Sequence, residues 1–121
     1  MAKILVVDDD ARVTALLKGF LTSEGYDVTG ITNSAKAMQA ANSIHPDLFI
    51  LDLMMPPPDG FTLCSMIRAD PNFKETPILI ITAMADSNSK ATSFGANDYL
   101  TKPFNLDELV SRITALLNET E

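Results

Sequence analysis

Several short apolar runs in this chain stop at side chains that can act together on a charged group. Residues 4–7 are followed by Asp8 and Asp9, residues 48–51 by Asp52, and residues 78–81 by Thr82, and a run around Leu100 stops just before Lys102. Carboxylates gathered in one place repel one another and hold protons more tightly unless a cation joins them. An all-oxygen set suits a hard divalent ion, and a few carboxylates completed by water suit Mg²⁺. Lys102 adds a positive charge on a long stem, and Thr82 adds a hydrogen-bond donor. Such a set would stabilise the charge that develops on a phosphoryl group in transit, with the Asp52 carboxylate as the nucleophile that receives it.

For these groups to meet, their carrier segments must lie side by side. Lys3–Val7 reads as a nearly continuous apolar strand, and Asp27–Ile31, 47–51, 77–81 and 98–100 read as four more. Between them run helical patterns. Val13, Leu16, Leu17, Phe20 and Leu21 form a stripe closed by Gly25, with Asp10 as N-cap. Ser34 is expected to cap a second helix whose inner face is Ala37, Ala40, Ala41 and Ile44, closed by His45-Pro46. A third helix is expected over 61–68 and a weak fourth over 86–94. A last one carries Leu106, Leu109, Val110, Ile113, Leu116 and Leu117. Strands apolar on both faces and alternating with helices predict an α/β fold: a doubly wound five-stranded parallel sheet, order 2-1-3-4-5, flanked by five helices. In such a sheet ligands bind beyond the carboxyl ends of the strands, where Asp8, Asp9, Asp52, Thr82 and Lys102 all stand.

The bulk properties narrow the function. The 121 residues suit one domain, and a 46% hydrophobic share supports a core. Sixteen acidic and nine basic residues give a net charge of −7, which disfavours direct nucleic acid or anionic membrane binding. Cys64 is the single cysteine, so no intramolecular disulfide forms, and it reads as a small core residue. No apolar run approaches the roughly 20 residues of a membrane helix, and the N-terminus lacks the flanks of a signal peptide, so the cytoplasm is the expected location.

The same residues carry a family resemblance. Ile4-Leu5-Val6-Val7-Asp8-Asp9, Asp52-Leu53-Met54-Met55-Pro56 with Asp59-Gly60, Ile81-Thr82-Ala83, and Gly95-Ala96-Asn97-Asp98-Tyr99-Leu100-Thr101-Lys102-Pro103-Phe104 occur in the order and spacing of a two-component response-regulator receiver domain, flavodoxin-like in fold and similar to the chemotaxis regulators. The resemblance spans residues 1–121 as one domain. It implies a phosphoacceptor switch: Mg²⁺-dependent transfer from a histidine kinase or phosphotransfer protein to Asp52. Asp9 would ligate the metal directly, Asp8 through water, with Asp52 and the main-chain carbonyl of Met54 as further ligands. Lys102 would pair with the phosphoryl oxygens and Thr82 hydrogen-bond to them. Thr82 and Tyr99 would relay the change to the face made by the fourth helix, fifth strand and last helix. The resemblance also implies a cis bond at Lys102-Pro103, a monomer or weak dimer, and a protein that catalyses its own modification without being a turnover enzyme.

The sequence departs from the family pattern in three places. Pro57 stands where receivers usually have glycine and Pro58 where they have an apolar residue, which stiffens the loop after Asp52. The stretch between Thr82 and Tyr99 is about two residues short and rich in poor helix formers such as Asn88, Ser89 and Thr92, so the fourth helix should be short and a standard dimer there is doubtful. Met54 and Met84 flank the phosphoryl position and are too apolar to orient water, which predicts slow self-hydrolysis.

Two other readings compete. A small phosphohydrolase with an Asp nucleophile on a similar sheet usually carries a second Asp two residues later, where this chain has Met54. A binding module with a relic site would not need the full set of Asp8, Asp9, Asp52, Thr82 and Lys102. Taken singly, Thr82 is an ordinary strand residue and Tyr99 a half-buried aromatic. His45, the lone histidine, reads as a surface cap.

Overall fold

A computed structural model of the chain describes residues 1–83 and 94–119. The apolar runs become five parallel strands, β1 (Lys3–Val7), β2 (Asp27–Ile31), β3 (Leu48–Leu51), β4 (Ile78–Thr82) and β5 (Asp98–Thr101), in the order β2-β1-β3-β4-β5. The register pairs Val7 with Ile31 and with Leu51, Leu51 with Ile80, and Thr82 with Thr101. The expected sheet and strand order are therefore present.

The described residues form four helices rather than the five expected: α1 (Ala11–Ser23), α2 (Ala37–Ile44), α3 (Gly60–Ala69) and α4 (Leu106–Glu119). The helix expected over 86–94, and Met84 with it, lies outside the described residues apart from Phe94, which sits in a turn. Alternation along the strands feeds two cores. Leu5, Phe49, Leu51, Ile78 and Ile80 pack against Ala37 and Ala41 of α2 and Leu63, Cys64 and Ile67 of α3. Ile4, Val6, Ile50, Leu79 and Ile81 pack against Leu17 and Leu21 of α1 and Leu109, Ile113 and Leu116 of α4. Cys64 is fully buried, and burial pushes its thiol up to about 11, so it behaves as the core residue expected.

Local signals set the helix ends, with two corrections. Asp10 caps α1 as expected, accepting from the Arg12 N–H at 2.9 Å, and Asp59 caps α3, accepting from Thr62 N–H at 2.8 Å. Ser34 is not the cap of the second helix. Asn33 accepts from Ala35 N–H and starts a 3₁₀ turn, Ser34–Lys36, that leads into α2, while the buried Ser34 hydroxyl donates to the Pro56 carbonyl at 3.0 Å. Leu16, placed on the inner stripe of α1, is 55% exposed, and Thr14 takes a buried place in line with Leu17 and Leu21. His45 does close α2, in a left-handed conformation with φ 52° and its N–H donating to Ala41 O.

At the opposite edge of the sheet from the carboxyl ends, Arg68 ties α3 to the entries of β4 and β5. Its guanidinium donates to the carbonyls of Gly95, Phe73 and Thr76 and to Asn97 Oδ1, at 2.7–3.0 Å. Gly95 has φ 102°, and a Cβ there would meet the Arg68 side chain at 2.7 Å, so both its conformation and the close approach require glycine.

Candidate functional site

The carboxyl ends of β1, β3 and β5 deliver their polar residues to one place. Each is pinned by the backbone of a neighbouring strand: Asp8 N–H donates to Ile31 O, Asp52 N–H to Val7 O, and Lys102 N–H to Thr82 O. Asp8 and Asp52 are 3% and 7% exposed, whereas Asp9 is exposed at the rim. One carboxylate oxygen from each of Asp8, Asp9 and Asp52 can be chosen so that all lie within 4.8 Å of one another. Lys102 Nζ reaches in from β5 and donates to Asp8 Oδ2 at 3.0 Å and Asp52 Oδ2 at 3.3 Å.

The electrostatics follow from burial. At an effective dielectric of about 20, two carboxylates about 5 Å apart repel by roughly 3 kcal/mol. Burial raises the Asp8 carboxyl above the usual aspartate range, the Asp52 charge adds to the rise, and the Asp10 N–H and Lys102 oppose it. Burial alone would lower the Lys102 ammonium, but its hydrogen bond to Asp8 and the charges of Asp8 and Asp52 outweigh that and hold it above the ordinary lysine value. Three carboxylates facing one ammonium leave an excess of negative charge that a divalent cation would offset.

The donor set fits Mg²⁺. Oxygens bound to one ion at about 2.1 Å lie roughly 3.0–4.2 Å apart, so three donors within 4.8 Å of one another can share an ion after a modest movement of their side chains. All three donors are hard carboxylate oxygens, and Asp9 lies at the exposed rim of the cluster.

The loop after Asp52 is built around its backbone. Met54 N–H donates to Asp52 Oδ1 at 3.2 Å, and Gly60 N–H donates to Leu53 O at 3.0 Å. A Cβ on Gly60 would collide with the carbonyl of Asp52 and the Cα of Leu53, so α3 can start this close to the site only with glycine at its first position. The Pro57-Pro58 and Lys102-Pro103 peptide bonds are both cis, the second as the resemblance implies. The Met54 side chain is 60% exposed beside Asp52.

Thr82 and Tyr99 belong to the neighbouring strands β4 and β5. Thr82 is fully buried at the end of β4, next to the strand that carries Asp52. Tyr99 pairs with Ile80 and packs, half-buried, against the core on the α2–α3 side. By alternation Ile80, Thr82 and Tyr99 share that face. From the sequence Thr14 has no expected role and Ser34 only that of a helix cap, yet their hydroxyls hold the two loops that carry the acidic residues. For Thr14 a signal was present, since it continues the row of Leu17 and Leu21 at helical spacing.

Comparison with known proteins converges on one family. The family model for the response regulator receiver domain matches residues 4–114. The chain is 41% identical over 123 residues to the DNA-binding dual master transcriptional regulator RpaA of Synechocystis, covering 100% of this chain and 51% of that protein. It is 41% identical over 116 residues to the transcriptional regulatory protein TcrA of Mycobacterium tuberculosis, covering 94% and 45%. It thus spans about half the length of these relatives. Among solved structures, it superposes on the receiver domain of the Francisella response regulator 1452 with a TM-score of 0.91 at 32% identity, covering 100% of both chains. It superposes on the response regulator TrrA of Thermotoga maritima, solved in complex with Mg²⁺-BeF, with a TM-score of 0.87 at 36% identity, covering 96% and 99%.

Proposed function

This chain belongs to the response regulator receiver family, and we propose that within it Asp52 accepts a phosphoryl group from a histidine kinase or phosphotransfer protein in a Mg²⁺-dependent reaction. The observation that carries this reading is the meeting of Asp8, Asp9 and Asp52 within 4.8 Å, with Lys102 Nζ 3.0 and 3.3 Å from two of them, at the carboxyl ends of the strands.

Asp8, Asp9, Asp52 and the main-chain carbonyl of Met54 would hold Mg²⁺, which when bound supplies positive charge to the phosphoryl oxygens and offsets the crowded carboxylates. An Asp52 oxygen attacks phosphorus, and the bond from phosphorus to the donor nitrogen breaks. Lys102, already aimed at Asp52, meets the negative charge on the transferred oxygens as an ammonium. Thr82 turns its hydroxyl to a phosphoryl oxygen. Tyr99, on the same face, follows into the space released, and the surface of β5 and α4 changes for a partner to read.

The chain acts as a stoichiometric switch rather than a turnover enzyme. The hydrolase alternative lacks a second carboxylate at position 54, where an exposed methionine stands. Its partners are proteins: a net charge of −7 opposes direct contact with nucleic acid, even though relatives about twice its length are named DNA-binding. Among the described residues no helix is long and apolar enough to cross a membrane, and the cytoplasm is the proposed location.

Incubation with acetyl phosphate and Mg²⁺ followed by intact mass tests the reading. One added phosphoryl group is expected, absent with a chelator or in Asp52→Ala. No gain in mass, or an equal gain in Asp52→Ala, would refute it.

A further inference from the structure

The loop that carries Asp8 and Asp9 is held from beneath by a residue outside the site. Thr14, one turn into α1, is 7% exposed. Its hydroxyl donates to the Asp8 carbonyl at 2.8 Å and lies 3.2 Å from the Asp10 carbonyl, which also accepts the Thr14 N–H. The rest of the turn is equally tied. Asp10 N–H donates to Asp8 Oδ1 at 2.9 Å, and Asp8 N–H donates to Ile31 O at 3.1 Å. The carbonyl of Asp8 is the joint between its own side chain and the peptide that turns Asp9 outward, so its direction sets where both carboxylates point.

The space for Thr14 comes from β2. A Cβ on Gly30 would lie 2.5 Å from Thr14 Cγ2, so any larger residue there would push the threonine off its carbonyl. Glycine is a poor strand former, and its presence in the middle of β2 is explained by this close approach. Gly30 and Thr14 therefore form a matched pair.

We propose that Thr14, seated against Gly30, is a positioning residue for the metal-binding carboxylates: its hydroxyl orients the Asp8–Asp10 turn so that Asp8 and Asp9 face Asp52. The proposal rests on the reading that these three residues hold Mg²⁺. Thr14 acts through the Asp8 carbonyl rather than as a ligand. Thr14→Val keeps the shape and removes the hydroxyl, Thr14→Ser keeps the hydroxyl, and Gly30→Ala displaces the hydroxyl without removing it. Leu17→Ala loosens the same helix from the same core and leaves the hydroxyl alone.

The test is Mg²⁺ affinity, measured by calorimetric titration for the wild type and these four variants, with the melting temperature of each metal-free protein. Thr14→Val and Gly30→Ala should bind Mg²⁺ about tenfold more weakly, as when an outer partner of a metal ligand is lost, and Thr14→Ser should stay within about twofold of wild type. Leu17→Ala should lower the melting temperature with little change in affinity. Wild-type affinity in Thr14→Val, or a loss in Thr14→Ser or Leu17→Ala as large as in Thr14→Val, would overturn the proposal. Should Thr14→Val fail to fold, Gly30→Ala decides, and unchanged affinity there overturns it. A wild-type protein that binds no Mg²⁺ would instead overturn the reading beneath it.

Discussion

Replacing Lys102 with methionine separates the electrostatic role of this residue from its place in the chain. Methionine keeps an unbranched stem and leaves the following proline in place, but takes the ammonium from two carboxylates that are 4% and 8% exposed. Removing one partner of a buried ion pair costs about 3–5 kcal/mol. The Lys102 side chain is 23% exposed, so water screens part of that, and the loss for the metal-free protein near neutral pH should be about 2–3 kcal/mol. The deficit must depend on pH in one direction. Asp8 already binds a proton more readily in the folded than in the unfolded chain because it is buried, and without Lys102 it does so more readily still. A carboxyl whose folded value is raised destabilises the fold fully above that value, and the penalty fades as pH falls through it toward the ordinary aspartate value of 3.8. Urea unfolding of wild type and Lys102→Met at about pH 7 and about pH 5, with chelator present, reads both effects. The deficit should narrow at the lower pH. Equal stability at both, or a deficit that widens on acidification, would refute the reasoning.

Two further outcomes follow from other parts of the molecule. Met54→Asn places a polar group beside Asp52 where an exposed methionine now stands, and decay of the phosphorylated protein, followed by loss of the added mass, should be faster; an unchanged lifetime would count against an apolar shield there. Arg68→Ala removes charged hydrogen bonds to three carbonyls and should cost about 2–3 kcal/mol by urea unfolding. Because those contacts lie at the far edge of the sheet, Mg²⁺ affinity should hold, and a matching loss of affinity would show that the two edges are coupled.

The sheet and the site were legible because both rest on local pattern. Apolar runs of four or five residues mark buried parallel strands, and the residue that ends each run falls on the binding edge once the strand order is known. Asp8, Asp52, Thr82 and Lys102 were found that way. What escaped depends on partners distant in the chain. Ser34 has the chemistry of an N-cap, but Asn33 caps the 3₁₀ turn that leads into α2 and the Ser34 hydroxyl is drawn to Pro56, 22 residues on. Thr14 looks like a polar interruption in an apolar stripe until β2 presents a glycine to it. Leu16 fits the apolar stripe by its spacing, yet the row that reaches the sheet is Thr14, Leu17 and Leu21. Arg68 stands in the sequence only as the end of the third helix, and the fold brings three loops together on its guanidinium.

The central claim concerns a single atom group, the carboxylate at position 52. Borohydride reduces an aspartyl phosphate to homoserine, so treatment of the acetyl phosphate-modified protein and peptide mass mapping locates the modified side chain directly. Homoserine at position 52, formed only when Mg²⁺ is present, is the predicted result. Homoserine at position 8 or 9, or a stable phosphoryl group on His45, would contradict the account.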